Sequence, residues 1–384
     1  MGIKGLLPML GSILKSKNIT AYKQKRIAID AMCWVHAIAT MVSHSIYNEI
    51  KTEAHIEIFE KRIKKLLDEE IVPVFVFDGD RTSFKEATQQ QRKERREKCD
   101  IEVKKALELG NKERALTLMK QSVEISADFL YDFMLCLNKM GIEFIIAPYE
   151  ADAQLTYLCN SGYVDAVMTE DSDLIIYGCN EILFKYKNGK ADVYDKKHLN
   201  KIKNDFLVKN MLEIAILSGC DYLPSIKGVG LLTAVKKFEE SNGCIEQFLR
   251  LIKVSKKVVP DDYLNDFLTC RNVFKHHIVY DPITSQRIYL NSPVDNCVLE
   301  CLGTLKNLPF VILLNDGSEI NIKRHFMNGK EVAVGDEVEI TKINNIAEEY
   351  EKSDIFEDED INKTIVDTTE ADITIISSNS NNIK

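Results

Sequence analysis

Short apolar segments that end in acidic residues set the pattern of this chain. Residues 26–30 read Arg-Ile-Ala-Ile-Asp, and residues 71–78 read Ile-Val-Pro-Val-Phe-Val-Phe-Asp. Between them, apolar residues recur at helical spacing at Ile56, Phe59, Ile63, Leu66 and Leu67. Two more apolar runs, at 142–146 and 164–168, extend the series. Apolar strands that alternate with amphipathic helices predict an α/β fold, with a mostly parallel central sheet and flanking helices.

Acidic residues follow each predicted strand. They are Asp30, Asp78, Glu150, Asp152, Asp171 and Asp173. Glu150 and Asp152 come just after Pro148 and are expected to open a helix. Asp171 and Asp173 are expected on extended chain, where i, i+2 spacing points both carboxylates to one side.

One acid alone is more simply explained as a helix cap or a turn former. The carboxyl ends of parallel strands, however, share one edge of the sheet, and ligands bind at that edge. Carboxylates gathered there repel one another, and the usual remedy is a hard divalent cation with oxygen ligands. The set as a whole therefore predicts a metal site.

A polar helical segment, residues 81–128, is inserted between the second and third strands. Its basic residues at helical spacing include Lys85, Arg92, Arg95 and Arg96. A solvated helix with internal salt bridges is the ordinary interpretation. Because the insertion leaves the sheet directly after Asp78, we instead expect a cationic arch that holds a phosphodiester over the metals. Gly110-Asn111 is expected to break the arch into two helices.

A second glycine-containing turn is predicted between helices further along the chain. Gly228-Val229-Gly230 lies between helical runs, where glycine lets backbone N–H groups approach a phosphate. The same stretch supplies a seventh acid, Asp221. A hairpin that anchors a duplex and also serves the metal site is favoured over an ordinary turn between two helices.

Composition limits the class of protein. The chain has 384 residues and a formal net charge of −9, which argues against indiscriminate nucleic-acid binding but allows a local basic face. Ten cysteines are scattered, and the N-terminus has no signal-peptide pattern, so reduced thiols in an intracellular protein are expected. No apolar stretch reaches the roughly 18–20 residues of a membrane span.

Several motifs together resemble the structure-specific 5′ nuclease family. They are Met-Gly-Ile-Lys-Gly-Leu at residues 1–6, Ile-Asp-Ala-Met-Cys-Trp-Val-His at 29–36, Val-Phe-Asp-Gly at 76–79, Ala-Pro-Tyr-Glu-Ala-Asp-Ala-Gln-Leu at 147–155, Thr-Glu-Asp-Ser-Asp-Leu at 169–174, and Leu-Ser-Gly-Cys-Asp-Tyr-Leu at 217–223. The resemblance runs from residue 1 to about residue 281. The residues of these motifs are more similar to those of the exonucleases of this family than to those of the flap endonucleases. Met32 stands where close relatives have Tyr, which puts base stacking at that position in doubt.

The resemblance implies two Mg²⁺ ions, with Mn²⁺ as a substitute, and two-metal phosphodiester hydrolysis. One ion would be held by Asp30, Asp78 and Glu150, and the other by Asp152, Asp171, Asp173 and Asp221. Lys85 and Arg92 would act on the scissile phosphate. DNA contacts would come from Gly2, His36, Arg95, Arg96, Gly228 and Gly230. Backbone carbonyls of Ser218, Ser225 and Val229 would hold a K⁺ ion in a helix-two-turn-helix element.

The expected domains are a nuclease core over residues 1–208, the helix-two-turn-helix region over 209–298, a small β appendage packing on the core over 299–345, and a disordered acidic and polar tail over 346–384. The expected protein is a nuclear, monomeric 5′→3′ exonuclease of DNA repair with additional flap activity. Mismatch-repair proteins are possible partners, although the short tail offers little to dock them. A flap endonuclease of replication and a catalytically inactive nucleic-acid-binding relative are the alternatives.

Overall fold

The computed structural model describes residues 2–80, 82–293, 302 and 305. Within them the strands are β1 Lys15–Asn18, β2 Arg26–Asp30, β3 Val72–Phe77, β4 Phe144–Ile146, β5 Ala166–Met168, β6 Glu181–Lys187, β7 Lys190–Asp195, β8 Ile278–Asp281 and β9 Gln286–Tyr289. The helices are α1 Leu6–Met9, α2 Ala31–Met41, α3 Ser43–Tyr47, α4 Ala54–Asp68, α5 Glu86–Glu108, α6 Lys112–Ser122, α7 Ala127–Lys139, α8 Ala151–Asn160, α9 Asp173–Tyr177, α10 Asp205–Lys209, α11 Met211–Ser218, α12 Leu231–Glu240, α13 Ile245–Val254 and α14 Tyr263–His276.

A seven-stranded sheet with the order β1-β7-β6-β5-β2-β3-β4 forms the centre of the fold. The neighbours from β6 to β4 pair in parallel, whereas β7 pairs antiparallel with both β6 and β1. The predicted mostly parallel sheet with flanking helices is therefore confirmed. The chain runs from β2 outwards to β4 and then returns to the other side of β2 with β5. This reversal creates a crevice at the carboxyl ends of β2 and β5, which is where open α/β sheets bind ligands.

Alternation along the strands divides the core into two layers. On β2, Ala28 faces one layer, while Ile27 and Ile29 face the other. Helices α2, α4 and α7 pack on the second layer, where Phe59, Phe75 and Phe133 meet edge to face. Helices α8, α11, α12 and α14 pack on the first. The predicted apolar face of α4 is correct at Phe59, Ile63 and Leu66, which are buried, whereas Leu67 is exposed.

The predicted extended conformation at Asp171 and Asp173 is wrong. β5 ends at Met168, and Asp173 is the first residue of α9. The backbone N–H of Asp173 donates to Oδ1 of Asp171 at 3.0 Å, which makes a turn of the type that aspartate favours. Both carboxylates still reach the same edge of the sheet, but through this turn and not through strand alternation.

The arch consists of the short 3-10 turn Ser83–Lys85 and the two helices α5 and α6, and it lies between β3 and β4 in sequence. α5 ends at Glu108 and α6 begins at Lys112, so the predicted break at Gly110-Asn111 is confirmed. Gly110 has a φ of +70°, which glycine adopts without strain, and the Asn111 side chain caps α6. Apart from residues 302 and 305, the predicted appendage lies outside the described residues, and so does the whole predicted tail. No helix in the described part of the chain has the length and apolarity of a membrane span.

Gly79, directly after Asp78, lets two backbone segments touch. Its N–H donates to the carbonyl of Tyr149 at 2.6 Å, and a Cβ here would lie 1.8 Å from the carbonyl oxygen of Ala147. No rotamer change can relieve a clash with backbone. We expect Gly79→Ala to lower the free energy of unfolding by about 3 kcal/mol, which urea denaturation would measure.

Gly230→Ala is the matched control for this prediction. A Cβ on Gly230 would meet no heavy atom of the described residues within 4 Å, and the φ of −97° is open to any residue. Its only expected cost is a weaker cap on α12, about 1 kcal/mol or less. Equal denaturation midpoints for the two variants would contradict the proposed role of Gly79.

Candidate active site

Asp30 is the last residue of β2, and it is buried at the crevice between β2 and β5. Its Oδ1 accepts a hydrogen bond from the backbone N–H of Cys33 at 3.2 Å, which caps α2. Its Oδ2 accepts from the hydroxyl of Thr169 at 2.8 Å. Thr169 directly follows β5, so this hydrogen bond joins the two strand ends that form the crevice.

Asp78 and Glu150 meet where β3 and β4 end. The N–H of Ala151, at the start of α8, donates to Oδ1 of Asp78 at 2.8 Å. Desolvation by the surrounding protein and the nearby Glu150 carboxylate together raise the pKa of Asp78 to about 7, although Lys85 opposes the shift. The contact between Gly79 and the β4–α8 segment therefore holds two acids of the candidate site together.

The remaining acids converge on the same edge from α8, the β5–α9 turn and the segment after α11. Burial raises the pKa of Asp152 well above its usual value, and repulsion by Asp171 and Asp30 adds to the shift. Burial raises the pKa of Asp173 in the same way, with added repulsion from Asp171 and Asp221. In the described part of the chain, Oδ1 of Asp173 is buried without a hydrogen-bond partner. The hydrogen-bond donors at this edge therefore do not satisfy all of its carboxylate oxygens.

The two arch cations predicted to be catalytic reach into this cluster. Nζ of Lys85 lies 2.5 Å from Oε2 of Glu150 and 3.9 Å from Oδ2 of Asp221. Nη2 of Arg92 lies 2.8 Å from Oδ2 of Asp221. The side chains of Lys85 and Glu150 are only 16% and 10% exposed, so water screens this pair weakly. Lys85 and Arg92 therefore pair with acids of the candidate site, which are distant from them in sequence.

The sequence analysis missed Tyr222, which lies beneath Lys85, and its neighbour Tyr177. Nζ of Lys85 lies 5.3 Å from the ring centroid of Tyr222, and the Tyr222 hydroxyl lies 2.5 Å from that of Tyr177. An aromatic face attracts a cation, so Tyr222 helps to hold the ammonium. The signal in the sequence was the position of Tyr222 directly after Asp221.

The predicted DNA-contact residues are spread around the acids. Gly2 has a φ of +91°, and a Cβ on it would lie 2.5 Å from Oδ1 of Asp171, so only glycine fits there. His36 is exposed on α2, within electrostatic range of Arg92 and Arg96. Arg95 is exposed on α5, and Arg96 pairs with Glu124 at 3.0 Å. Their contacts with DNA stay predictions.

The predicted potassium-binding segment is the turn region between α11 and α12. A Cβ on Gly219 would lie 3.0 Å from the backbone nitrogen of Ser225, so the backbone beside Ser218 packs closely on Ser225. Val229 is buried, and its N–H donates to the carbonyl of Ile226 at 2.8 Å. Gly228 has a φ of +79°, and Gly230 precedes α12 without a side-chain cap. The segment thus lies between two helices, as predicted, while ion binding there stays a prediction.

The chemistry of the donors suits hard divalent cations. Seven carboxylates lie at one edge and their charges repel one another, and one buried oxygen has no donor among the described residues. As they stand, no three Asp, Glu, His or Cys side chains of the described residues are arranged around a common metal position. Because Lys85 and Arg92 already pair with Glu150 and Asp221, metal binding at this edge requires these side chains to move.

Comparison with known protein families agrees with this geometry. The model of the XPG N-terminal domain matches residues 1–99, and the model of the XPG I-region matches residues 141–221. The two matched segments contain the whole set of predicted metal ligands, and the unmatched residues between them contain most of the arch. In these two segments the chain is similar to the XPG domains of structure-specific 5′ nucleases.

Within this family the chain is similar to exonuclease 1. It is 35% identical over 297 residues to Exonuclease 1 of Oryza sativa subsp. japonica, which covers 76% of this chain and 35% of that protein. It is 32% identical over 300 residues to Exonuclease 1 of Xenopus laevis, with coverage of 76% and 41%. The chain thus spans well under half the length of these relatives.

Among solved structures, the chain is similar to the catalytic core of Rad2 in complex with DNA substrate. The TM-score is 0.52 and the identity is 26%, with 71% of this chain and 86% of that chain covered. This agrees with the observed sheet and its flanking helices.

Proposed function

We propose that this protein is a 5′→3′ exonuclease that hydrolyses phosphodiester bonds of double-stranded DNA with two Mg²⁺ ions. The main observation in support is that seven carboxylates from separate segments meet in one crevice. Lys85 and Arg92 of the arch reach acids of this same set. The similarity to exonuclease 1 and to the DNA-bound core of Rad2 supports the proposal.

The strand-end acids are proposed to divide between two metal positions. Asp30, Asp78 and Glu150 would hold one ion, and Asp152, Asp171, Asp173 and Asp221 would hold or bridge to the other. When bound, such ions lower the pKa of a water molecule and stabilise the departing oxygen of the sugar. Mn²⁺ would substitute, since it also accepts oxygen ligands.

The arch cations would supply the positive charge that the scissile phosphate needs. Lys85 and Arg92 would leave Glu150 and Asp221 for the non-bridging oxygens of the scissile phosphate, which carry negative charge in the transition state. Tyr222 would keep the Lys85 ammonium over the crevice during this exchange. The side chains of this mechanism position and neutralise the phosphate, and none of them has to act as the nucleophile.

The turn Gly228–Gly230 is proposed to grip the duplex away from the cut. Backbone N–H groups at the start of α12 suit a phosphate, and a K⁺ ion on the carbonyls of Ser218, Ser225 and Val229 would strengthen this contact. Gly2, His36, Arg95 and Arg96 would contact the DNA between this grip and the metals. The distance between the Gly228–Gly230 turn and the metals would determine which phosphodiester bond is cut.

The biological setting is also a proposal. A monomer that resects 5′ ends, nicks and flaps in the nucleus would serve DNA repair, with mismatch-repair proteins as candidate partners. The second candidate function is a flap endonuclease, because arch and crevice would support the same chemistry on a threaded strand.

The deciding experiment is digestion of a 5′-labelled blunt duplex with Mg²⁺. If Lys85 and Arg92 draw the first internucleotide phosphate onto the metals, the first labelled product is a mononucleotide. Resistance of the blunt duplex, with release of a 5′ flap as one intact oligonucleotide, would replace the exonuclease proposal with the flap endonuclease. Failure to cleave either substrate with Mg²⁺ or Mn²⁺ would favour a catalytically inactive DNA-binding protein.

A further inference from the structure

Two cysteines meet beside the acid cluster, and the proposed reaction uses neither of them. Sγ of Cys220 lies 3.6 Å from Sγ of Cys270. Cys220 lies in the irregular segment between α11 and α12, and Cys270 lies within α14. Both are free thiols. A disulfide needs a separation of about 2.05 Å, so an approach of roughly 1.5 Å would join the two sulfurs.

Burial decides which of the two sulfurs an oxidant reaches first. Cys220 is half-buried, whereas Cys270 is packed in the core. A small oxidant that enters from solvent therefore meets Cys220 before Cys270. The thiols of Cys159 and Cys179 are also close enough to interact, but both are buried. In that second pair, neither cysteine is as open to solvent as the half-buried Cys220.

We propose that Cys220 and Cys270 form a redox modification site that a peroxide converts into a disulfide. The peroxide transfers one oxygen atom to the sulfur of Cys220, which becomes a sulfenic acid, and the first water leaves. The Cys270 thiol then attacks that sulfur. The S–S bond forms and the S–O bond breaks. The hydroxyl group of the sulfenic acid takes up the proton of the Cys270 thiol and leaves as the second water. Two thiols lose two electrons, and one peroxide is reduced to two waters.

Cys220 is directly followed by two residues of the candidate active site. Asp221 accepts from Arg92, and its backbone carbonyl accepts from the hydroxyl of Thr88 at 2.8 Å. Tyr222 lies beneath Lys85. Because Cys270 is fixed in a packed helix, closing the disulfide moves Cys220 and with it these two residues. The effect on cleavage rests on the proposed function, and a displacement of about 1 Å can lower a rate by about 100-fold.

The test combines peptide mapping with a cleavage assay. The reduced full chain is treated with hydrogen peroxide, its remaining thiols are blocked, and a proteolytic digest is analysed by mass spectrometry. We expect a peptide pair joined through Cys220 and Cys270, a loss of blunt-duplex cleavage of about 10- to 100-fold, and recovery with dithiothreitol. Cys270→Ala removes the second sulfur, so this variant should keep its cleavage after peroxide treatment.

Cys244→Ser is the matched control, because Cys244 is half-buried in another segment and contacts Glu246. This variant should respond to peroxide as the wild-type protein does. Absence of the joined peptides, or full cleavage by protein that carries the disulfide, would overturn the proposal. The peptide map needs neither a variant nor nuclease activity. A reduced wild-type protein that cleaves no DNA would therefore contradict the proposed function alone.

Discussion

Asp173→Ala should lower the rate of DNA cleavage by about 1,000-fold or more, while duplex binding stays within about tenfold of wild type. The Asp173 carboxylate is buried among other acids, and within the described part of the chain one of its oxygens has no donor, which marks it as a proposed metal ligand. Phosphate contacts elsewhere dominate affinity, so binding survives. Single-turnover cleavage and fluorescence anisotropy measure the two quantities separately.

Removal of the Asp173 carboxylate should not lower the stability of the folded state. Asp171 and Asp221 repel the Asp173 carboxylate, so the isosteric Asp173→Asn variant should have a metal-free melting temperature equal to or above that of wild type. Asp165→Asn is a matched control, because Asp165 lies just before the other end of β5 and pairs with Lys25 at 2.9 Å. Cleavage by Asp173→Ala at the rate of this control would contradict the metal assignment.

Lys85→Ala should lower single-turnover cleavage by about 100- to 1,000-fold, the cost of removing one donor that stabilises transition-state charge. The affinity for DNA should change far less, because the ammonium acts on the reacting phosphate and not on the duplex grip. Unlike the asparagine variant of Asp173, this variant should also be less stable. It leaves Glu150 without its 2.5 Å partner in a weakly screened site.

Lys93→Ala provides the control for the arch, because Lys93 is exposed on α5 next to Arg92. It should cleave and unfold as wild type does. If Lys85→Ala instead binds more weakly but cleaves normally at saturating protein, Lys85 is an ordinary backbone contact. A melting temperature of Lys85→Ala equal to that of Lys93→Ala would show that the pair with Glu150 contributes nothing to stability.

The elements that sequence alone predicted best are the buried parallel strands. β2 spans the predicted residues 26–30, because a strand covered on both faces has an almost continuous apolar sequence with clear ends. The acids at the strand ends were predictable for the same reason, since parallel strands share one direction. The hairpin of β6 and β7 was missed, although Asn188 and Gly189, both with positive φ, provide a strong hairpin signal.

The partners of the arch cations could not be read from the sequence. Lys85 pairs with Glu150 and Arg92 with Asp221, and these residues are far apart along the chain. Helical spacing indicates which side chains share a face but not which distant segment that face meets. The extended geometry predicted for Asp171 and Asp173 failed for a local reason, because aspartate side chains readily bond to nearby backbone N–H groups and form turns.

The strand order also has a consequence for synthesis on the ribosome. β2 pairs with β5 and β1 pairs with β7, so the first strands emerge long before their partners are made. At a synthesis rate of about 5–20 residues per second, the strand edges stay unpaired and the apolar faces stay exposed for on the order of ten seconds. Exposed strand edges readily pair with other chains. The nascent chain is therefore most prone to aggregation before residue 195 has left the exit tunnel, and chaperone protection matters most during that interval.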